Sequence, residues 1–268
     1  MIFVSLASGS AGNCTLVVSD KSKILIDCGI SAKRAVSSLA EFGIKPEELD
    51  GVFVTHEHSD HIKGLKRLMS AYGVRIYGSE GTLGNLAKAA KDEYFNFAGA
   101  DLMNAVSADR YVSIGDMRIT PFKIWHDTAA PCAYRIDTDA ASVCVLTDCG
   151  HYDDYIRDHM LGLDALLLEA NHDRTMLVNG PYPMMLKRRV MSSTGHLCNN
   201  ASGQLLSEII SPRLKQVFLG HLSKENNTPQ TALKTVLSEL KNNCGEKALS
   251  SLYINVAPQD GISHIAEL

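Results

Sequence analysis

Four residues that can bind metal follow an apolar strand pattern at residues 51–55: His56, His58, Asp60 and His61. Residues two apart in an extended segment project to the same side, so His56 and His58 face together. The pattern becomes helical near Asp60, where adjacent side chains lie about 100° apart and can approach a second ion. Imidazole and carboxylate suit zinc, and also manganese or iron. The spacing therefore predicts a divalent-metal centre at this strand end.

The pattern His-x-His-x-Asp-His directly after a strand resembles the signature of the metallo-β-lactamase superfamily. The resemblance implies a four-layer αββα sandwich, an α/β fold with two metal ions at one edge between the sheets. It also implies three later ligands, each after an apolar strand pattern: His126, Asp148 and His221. Asp148 would bridge the two ions. We expect one such domain over residues 1–268.

The elements that must position these residues are short strand patterns that alternate with helical patterns. The strand candidates at 14–18 and 23–27 lie close together with no helix between them, which favours hairpins and a mixed sheet. A helix is predicted to begin after Ser31 and to stop at Gly43. The last helix is predicted to begin at the cap Thr228 and the first-turn Pro229.

Composition and charge set only broad limits on function. Apolar residues make up 45% of the 268 residues and charged residues 21%, which is ordinary for a globular protein. The formal net charge of −4 does not indicate a nucleic-acid binder, although metal dications can supply positive charge locally. Seven scattered cysteines with no Cys-x-x-Cys pair indicate reduced thiols. With no signal-peptide pattern and no apolar run long enough for a bilayer, we expect a cytoplasmic protein without a membrane segment.

Two dications about 3.5–4 Å apart can share a hydroxide at neutral pH and polarise the bond under attack. Such a centre hydrolyses phosphodiesters, thioesters and lactams alike, so the ligands alone do not name the substrate. The complete Asp60-His61 pair resembles two-metal enzymes such as nucleases and glyoxalase II. Cys149 follows the bridging position and is interpreted as a small filler residue.

The case for a phosphodiesterase begins with His196, in Ser193-Thr-Gly-His196-Leu. It resembles the histidine of RNase Z and related nucleases, which contacts the scissile phosphate and helps to protonate the leaving oxygen. Glu169 matches a family acid that could orient that histidine. The resemblance thus implies Asp60, Glu169 and His196 as catalytic residues. The plainer alternative for His196 is a cap for the helix that begins near Asn200.

Further segments, around Asn13, His172, Arg189 and His221, are similar to the bacterial YycJ/WalJ (VicX) group over nearly the whole chain. That group is described as 5′-to-3′ DNA exonucleases, so the resemblance implies nucleic acid, with DNA favoured, as substrate. His172 itself has no role that the residues reveal.

Five residues are candidates for contacts with the substrate: Ser8, Asn13, Lys187, Arg188 and Lys224. The small residues at 8–13 could close over the cleft or a phosphate, and the cations could follow a nucleic-acid backbone. A plain turn and a solvated helix face are the respective alternatives.

Two other functions stay open. A thioester or ester hydrolase of the glyoxalase II kind needs a basic C-terminal region to hold glutathione, whereas the segment after His221 is short and near neutral. A regulatory or scaffolding protein would use its metals structurally, but structural sites are usually closed and mononuclear.

Overall fold

A computed structural model describes residues 1–89 and 100–268. The strands are β1 (Ile2–Ala7), β2 (Cys14–Val18), β3 (Lys23–Ile26), β4 (Gly51–Phe53), β5 (Ile76–Ser79), β6 (Met103–Val106), β7 (Val112–Ile114), β8 (Met117–Lys123), β9 (Cys132–Asp137), β10 (Ser142–Leu146), β11 (Ala165–Glu169), β12 (Gln216–Gly220), β13 (Tyr253–Val256) and β14 (Ala266–Glu267). The α-helices are α1 (Ala32–Ala40), α2 (Ser59–Ile62), α3 (Leu65–Tyr72), α4 (Glu80–Ala89), α5 (Asp154–His159), α6 (Arg174–Asn179), α7 (Met184–Val190), α8 (Asn199–Ile209) and α9 (Pro229–Cys244). Single 3₁₀ turns lie at Pro46–Glu48, Ala100–Leu102 and Glu246–Leu249.

The described strands form two mixed sheets. The first has the order β14-β1-β2-β3-β4-β5-β6, and the second has the order β13-β12-β11-β10-β9-β8-β7. In the first sheet β1, β2 and β3 pair antiparallel, and β3 to β6 continue parallel. The second sheet repeats this pattern, with antiparallel pairs from β7 to β10 and parallel pairs from β10 to β13. The predicted hairpins and mixed sheet are confirmed.

Alternating apolar residues allow each sheet to pack on both faces. In β10, Val143 and Val145 join the core between the sheets, whereas Cys144 and Leu146 face the outer helices. The inner core includes large aromatic side chains from both sheets, among them Phe53. Helices α1, α3 and α4 cover the first sheet, and α5, α8 and α9 cover the second. The four-layer αββα prediction is confirmed.

Helix ends follow the predicted local chemistry. Ser31 caps α1 by accepting a hydrogen bond from the Arg34 backbone N–H, and Gly43 adopts a left-handed conformation soon after the helix ends. Thr228 caps α9, with Pro229 in its first turn. All seven cysteines are free thiols, six of them buried. Within the described residues, none of the helices combines the length and apolar character needed to cross a membrane.

Candidate metal centre

The seven predicted ligands converge at one edge of the sandwich, just beyond the carboxyl ends of strands. His56 and His58 follow β4, and α2 carries Asp60 and His61. The second sheet contributes the residues that follow β8, β10 and β12, which are His126, Asp148 and His221. Strands that are paired on both sides hold such residues rigidly, as fixed metal geometry requires.

One group of ligand atoms joins His56, His58 and His126 within 4.8 Å of one another. His58 Nδ1 and His126 Nε2 face each other at 3.3 Å. Nitrogen ligands of a tetrahedral zinc ion, each about 2.0–2.1 Å from it, would lie roughly 3.3 Å apart. The separation therefore suits two nitrogens that share one cation.

A second group joins Asp60, His61 and His221. Asp60 Oδ2 lies 3.5 Å from Nε2 of both histidines. Asp148 lies between the two groups, with one carboxylate oxygen 3.0 Å from His61 Nε2 and the other 3.7 Å from His126 Nε2. Its placement suits the predicted bridging role.

Buried atoms without partners show what the cluster can hold. His56 Nε2 and His221 Nε2 are buried and make no hydrogen bond. A buried polar atom that lacks a partner costs about 1–3 kcal/mol, and here the atoms belong to groups of converging nitrogen and oxygen donors. The residues present therefore fit divalent cations of the zinc or manganese class.

In these histidines the ring nitrogen that faces away from the ligand group contacts a neighbouring protein oxygen. This arrangement is typical of metal-binding histidines. His61 Nδ1 lies 2.7 Å from Asp27 Oδ2, and His56 Nδ1 lies 3.0 Å from Thr55 Oγ1. His126 Nδ1 lies 3.1 Å from the Gly195 carbonyl oxygen. These contacts fix the orientation of each imidazole before any ion binds.

Asp27 is a positioning residue that the sequence reasoning missed. Its carboxylate is buried and accepts hydrogen bonds from the backbone N–H and hydroxyl of Thr55 as well as contacting His61. Its position was the one signal in the sequence, because Asp27 directly follows the apolar strand β3, just as Asp148 closely follows β10, but no ligand motif surrounds it.

Three residues of the centre have left-handed backbones: Asp27 at φ 60°, Asp148 at φ 57° and His221 at φ 54°. Residues other than glycine seldom adopt this region, and each instance costs on the order of 1–3 kcal/mol. The fold therefore holds these side chains in strained positions at the strand ends.

Glu169, at the end of β11, links His196 to the cluster. Its Oε1 lies 2.8 Å from His196 Nδ1 and 3.0 Å from His221 Nδ1. Its Oε2 accepts hydrogen bonds from the backbone N–H groups of Cys149 and Leu197. Burial alone would raise the pKa of Glu169, but the two histidines lower it to about 2. Glu169 is therefore an ionised carboxylate at the centre of this network.

His196 does not cap the following helix, because the N-cap position of α8 belongs to Cys198. Its side chain remains 17% exposed beside a metal cluster in which five of the seven ligands are buried. It lines a cavity of about 430 Å³ whose walls also include His172 and Arg174. The ring therefore reaches a space that is open to a substrate.

The thiol of Cys149 donates a hydrogen bond to the His151 carbonyl oxygen at 3.0 Å. Burial raises the pKa of this thiol, and the neighbouring Glu169 carboxylate raises it further. The arrangement favours the predicted role of a small filler.

The predicted substrate-binding residues fall into two sets. Ser8 and Asn13 are buried: Ser8 Oγ accepts a hydrogen bond from the His221 backbone N–H, and Asn13 Nδ2 lies 3.1 Å from His61 Nε2. These two side chains hold ligand residues in place, and their contact with substrate stays a prediction.

The second set is cationic and lies nearer the surface. Lys187 donates a hydrogen bond to the Val178 carbonyl oxygen. Arg188 and Lys224 are exposed, and neither forms an ion pair with any residue in the described part of the chain. Their contact with phosphate stays a prediction.

Comparisons with known proteins agree with this geometry. Residues 22–218 match the family described as "Beta-lactamase superfamily domain". The chain is 38% identical over 239 residues to exodeoxyribonuclease WalJ of Streptococcus pneumoniae, covering 88% of this chain and 86% of the relative. It is 33% identical over 246 residues to exodeoxyribonuclease YycJ of Bacillus anthracis, covering 89% of each.

The fold is also similar to that of the metallo-β-lactamase fold protein YhfI from Bacillus subtilis, with a TM-score of 0.69 and 20% identity over 98% of both chains. The strand-end ligands, the two mixed sheets and the sequence matches lead to one assignment. The chain belongs to the metallo-β-lactamase superfamily and, within it, to the family of the WalJ and YycJ proteins.

Proposed function

We propose that this chain is a metal-dependent phosphodiesterase that releases nucleotides from DNA, in the manner of a 5′-to-3′ exonuclease. The observation that carries the proposal is the pair of His196 and Glu169 beside the metal cluster, with Glu169 Oε1 2.8 Å from His196 Nδ1. The relatives named exodeoxyribonuclease, which match most of the chain, support the choice of DNA.

The centre would hold two divalent ions, zinc or manganese by its donors, with iron also compatible. One ion would be held by His56, His58 and His126, the other by Asp60, His61 and His221, and Asp148 would be shared. When bound, such ions supply Lewis acidity and a nucleophilic water at neutral pH.

The chain's own residues supply the proton. The ionised Glu169 carboxylate accepts the Nδ1–H of His196 and orients the ring. His196 Nε2 is then the atom that donates a proton to the leaving oxygen of the cleaved ester. Arg188 and Lys224 would contact backbone phosphates, and Asp60 would act through the ion that it holds.

The test compares nucleotide release from 5′-phosphorylated duplex DNA by the wild type, His196→Gln and Asp148→Asn, with manganese or zinc added. Removal of a general acid costs about 10²- to 10⁴-fold in rate, so we expect a loss of that size in His196→Gln with its metal content unchanged. Asp148→Asn should lose both bound metal and activity. His264→Gln, a change at an exposed histidine, is the matched control.

Full nucleotide release by His196→Gln or by Asp148→Asn would refute the proposal. Hydrolysis of S-lactoylglutathione at a rate far above that on DNA would favour a thioester hydrolase instead. We further propose that the chain forms one domain over residues 1–268 and, on the basis of its seven free thiols, that it works in the cytoplasm.

A further inference from the structure

Trp125 is a large exposed aromatic residue next to the metal centre. It directly precedes the ligand His126, it is 48% exposed, and it is the single tryptophan of the sequence. An exposed indole offers a flat apolar face on which another ring can stack. Trp125 is therefore placed where a ligand bound next to the metal centre could contact its ring.

The indole is held in a fixed orientation. It stacks on His151 with ring centroids 5.2 Å apart and an interplanar angle of 21°. The indole Nε1 donates a hydrogen bond to Asp153 at 3.2 Å. The backbone carbonyl oxygen of Trp125 accepts one from the Gly150 backbone N–H at 2.7 Å. His151 in turn contacts the Ser193 carbonyl oxygen, close to His196 in the chain. The ring is therefore set relative to both the metal ligands and the proton donor.

Trp125 also lines a cavity of about 770 Å³, here called the Trp125 cavity. Much of its wall is apolar and includes Pro121, Ile124, Ala130 and Pro131. This volume is large enough for a nucleoside-sized ligand.

The charges of the Trp125 cavity select against phosphate. Its charged lining residues are three acids, Glu80, Asp109 and Asp153, and one base, Lys123. Carboxylates repel a phosphate but can accept hydrogen bonds from the N–H groups of a nucleobase, including the ring N–H of thymine. The chemistry of the wall, an aromatic plane with apolar sides and carboxylate acceptors, is that of a nucleobase site.

We propose that the Trp125 cavity binds a nucleobase of the substrate strand, stacked on the indole, next to the nucleotide whose phosphate lies at the metal centre. This inference rests on the proposed function and extends it. Every base has a π-face, so stacking holds a strand without selecting its sequence. It also gives a chain of net charge −4 a means of holding DNA besides phosphate contacts.

The first experiment uses the fluorescence of Trp125, which reports on this ring alone because the chain has no other tryptophan. Metal-loaded wild-type protein is titrated with a cleavage-resistant phosphorothioate oligothymidine strand and with an abasic strand of the same length and charge. We expect quenching by the thymidine strand, little change with the abasic strand, and a Kd about tenfold higher for the abasic strand. Equal quenching and equal affinity for the two strands would overturn the inference.

Variants separate stacking from a structural role. Trp125→Ala should raise the Kd for the thymidine strand about tenfold and remove the preference over the abasic strand, whereas Trp125→Phe should retain most of that preference. The change should appear in KM rather than in kcat. Tyr111→Ala removes another exposed aromatic side chain, one that does not line the cavity. This variant should change neither the Kd for the thymidine strand nor the KM.

The outcomes distinguish this inference from the proposed function. If the wild type neither binds strands nor releases nucleotides, both fail. If it cleaves DNA but Trp125→Ala binds both strands as the wild type does, only the stacking site fails.

Discussion

Each buried imidazole of the metal centre depends on a neighbour that binds its second ring nitrogen. The shortest of these contacts to a ligand ring is between His61 Nδ1 and Asp27, at 2.7 Å. The same carboxylate holds Thr55, whose hydroxyl contacts His56. Asp27 therefore orients ligands of both metal groups without belonging to either.

Replacing Asp27 with Asn should weaken metal binding by about 10- to 100-fold, the usual cost of losing a partner of a ligating histidine. Asn tolerates the left-handed backbone at this position, but its amide removes the charge and one acceptor. Calorimetric titration of zinc or manganese into protein from which the metal has been removed by a chelator measures this affinity. The exposed Asp139→Asn is the control, and a Kd for Asp27→Asn equal to that of the wild type would contradict the prediction.

The roles of single residues could be predicted from the sequence where several potential ligands lie at a characteristic spacing. The cluster from His56 to His61 indicates metal chemistry by itself, and the family resemblance adds the later ligands. Asp27 illustrates what is lost, because an acid at a strand end has no distinctive neighbours in sequence. Its role depends on contact with His61, which lies 34 positions away in the chain.

At the scale of elements, α2 is held against the loop after β3 by very close backbone packing. A Cβ at Gly29 would lie 1.5 Å from the carbonyl oxygen of Asp60. The Asn13 backbone N–H donates to that same oxygen at 2.8 Å. The absence of a side chain at Gly29 is what allows α2 to place Asp60 and His61 in the centre.

Gly29→Ala should therefore displace α2, reduce the metal bound per chain and destabilise the fold by about 1–3 kcal/mol. Elemental analysis after dialysis and urea unfolding measure the two effects. Gly84→Ala, in α4, meets open space and should stabilise by up to about 1 kcal/mol. Unchanged metal content in Gly29→Ala would show that α2 can shift without losing its ligands.

The elements themselves were largely predictable, because caps and turn residues act locally. Ser31 and Thr228 begin helices as expected, and the early strands pair as hairpins. The order of strands within each sheet could not be derived from periodicity. Pairs such as β1 with β14 join residues at opposite ends of the chain, and no local pattern records such a contact.

At the scale of the whole molecule, neither metal group is complete within one sheet. The first needs His126 from the second sheet in addition to His56 and His58, and the other needs His221 in addition to Asp60 and His61. Bound ions would therefore join the two halves of the sandwich.

Chelation should lower the Tm of the metal-loaded protein by about 5 °C or more. An ion present at a hundred times its Kd stabilises the folded state by about 2.7 kcal/mol, and a protein of this size shifts by roughly 2–4 °C per kcal/mol. Thermal unfolding followed by circular dichroism, with and without EDTA, measures the shift. Asp148→Asn, with its weakened site, should respond much less, and an equal response would mean that the ions act elsewhere.

Because the ligands are divided between the sheets, complete ion binding requires that the two sheets have docked correctly. A chain in which only one half had folded would present only part of each of these two groups. Selection for a working metal centre is then also selection for the docking of the two sheets, so that chemistry and tertiary structure are maintained together.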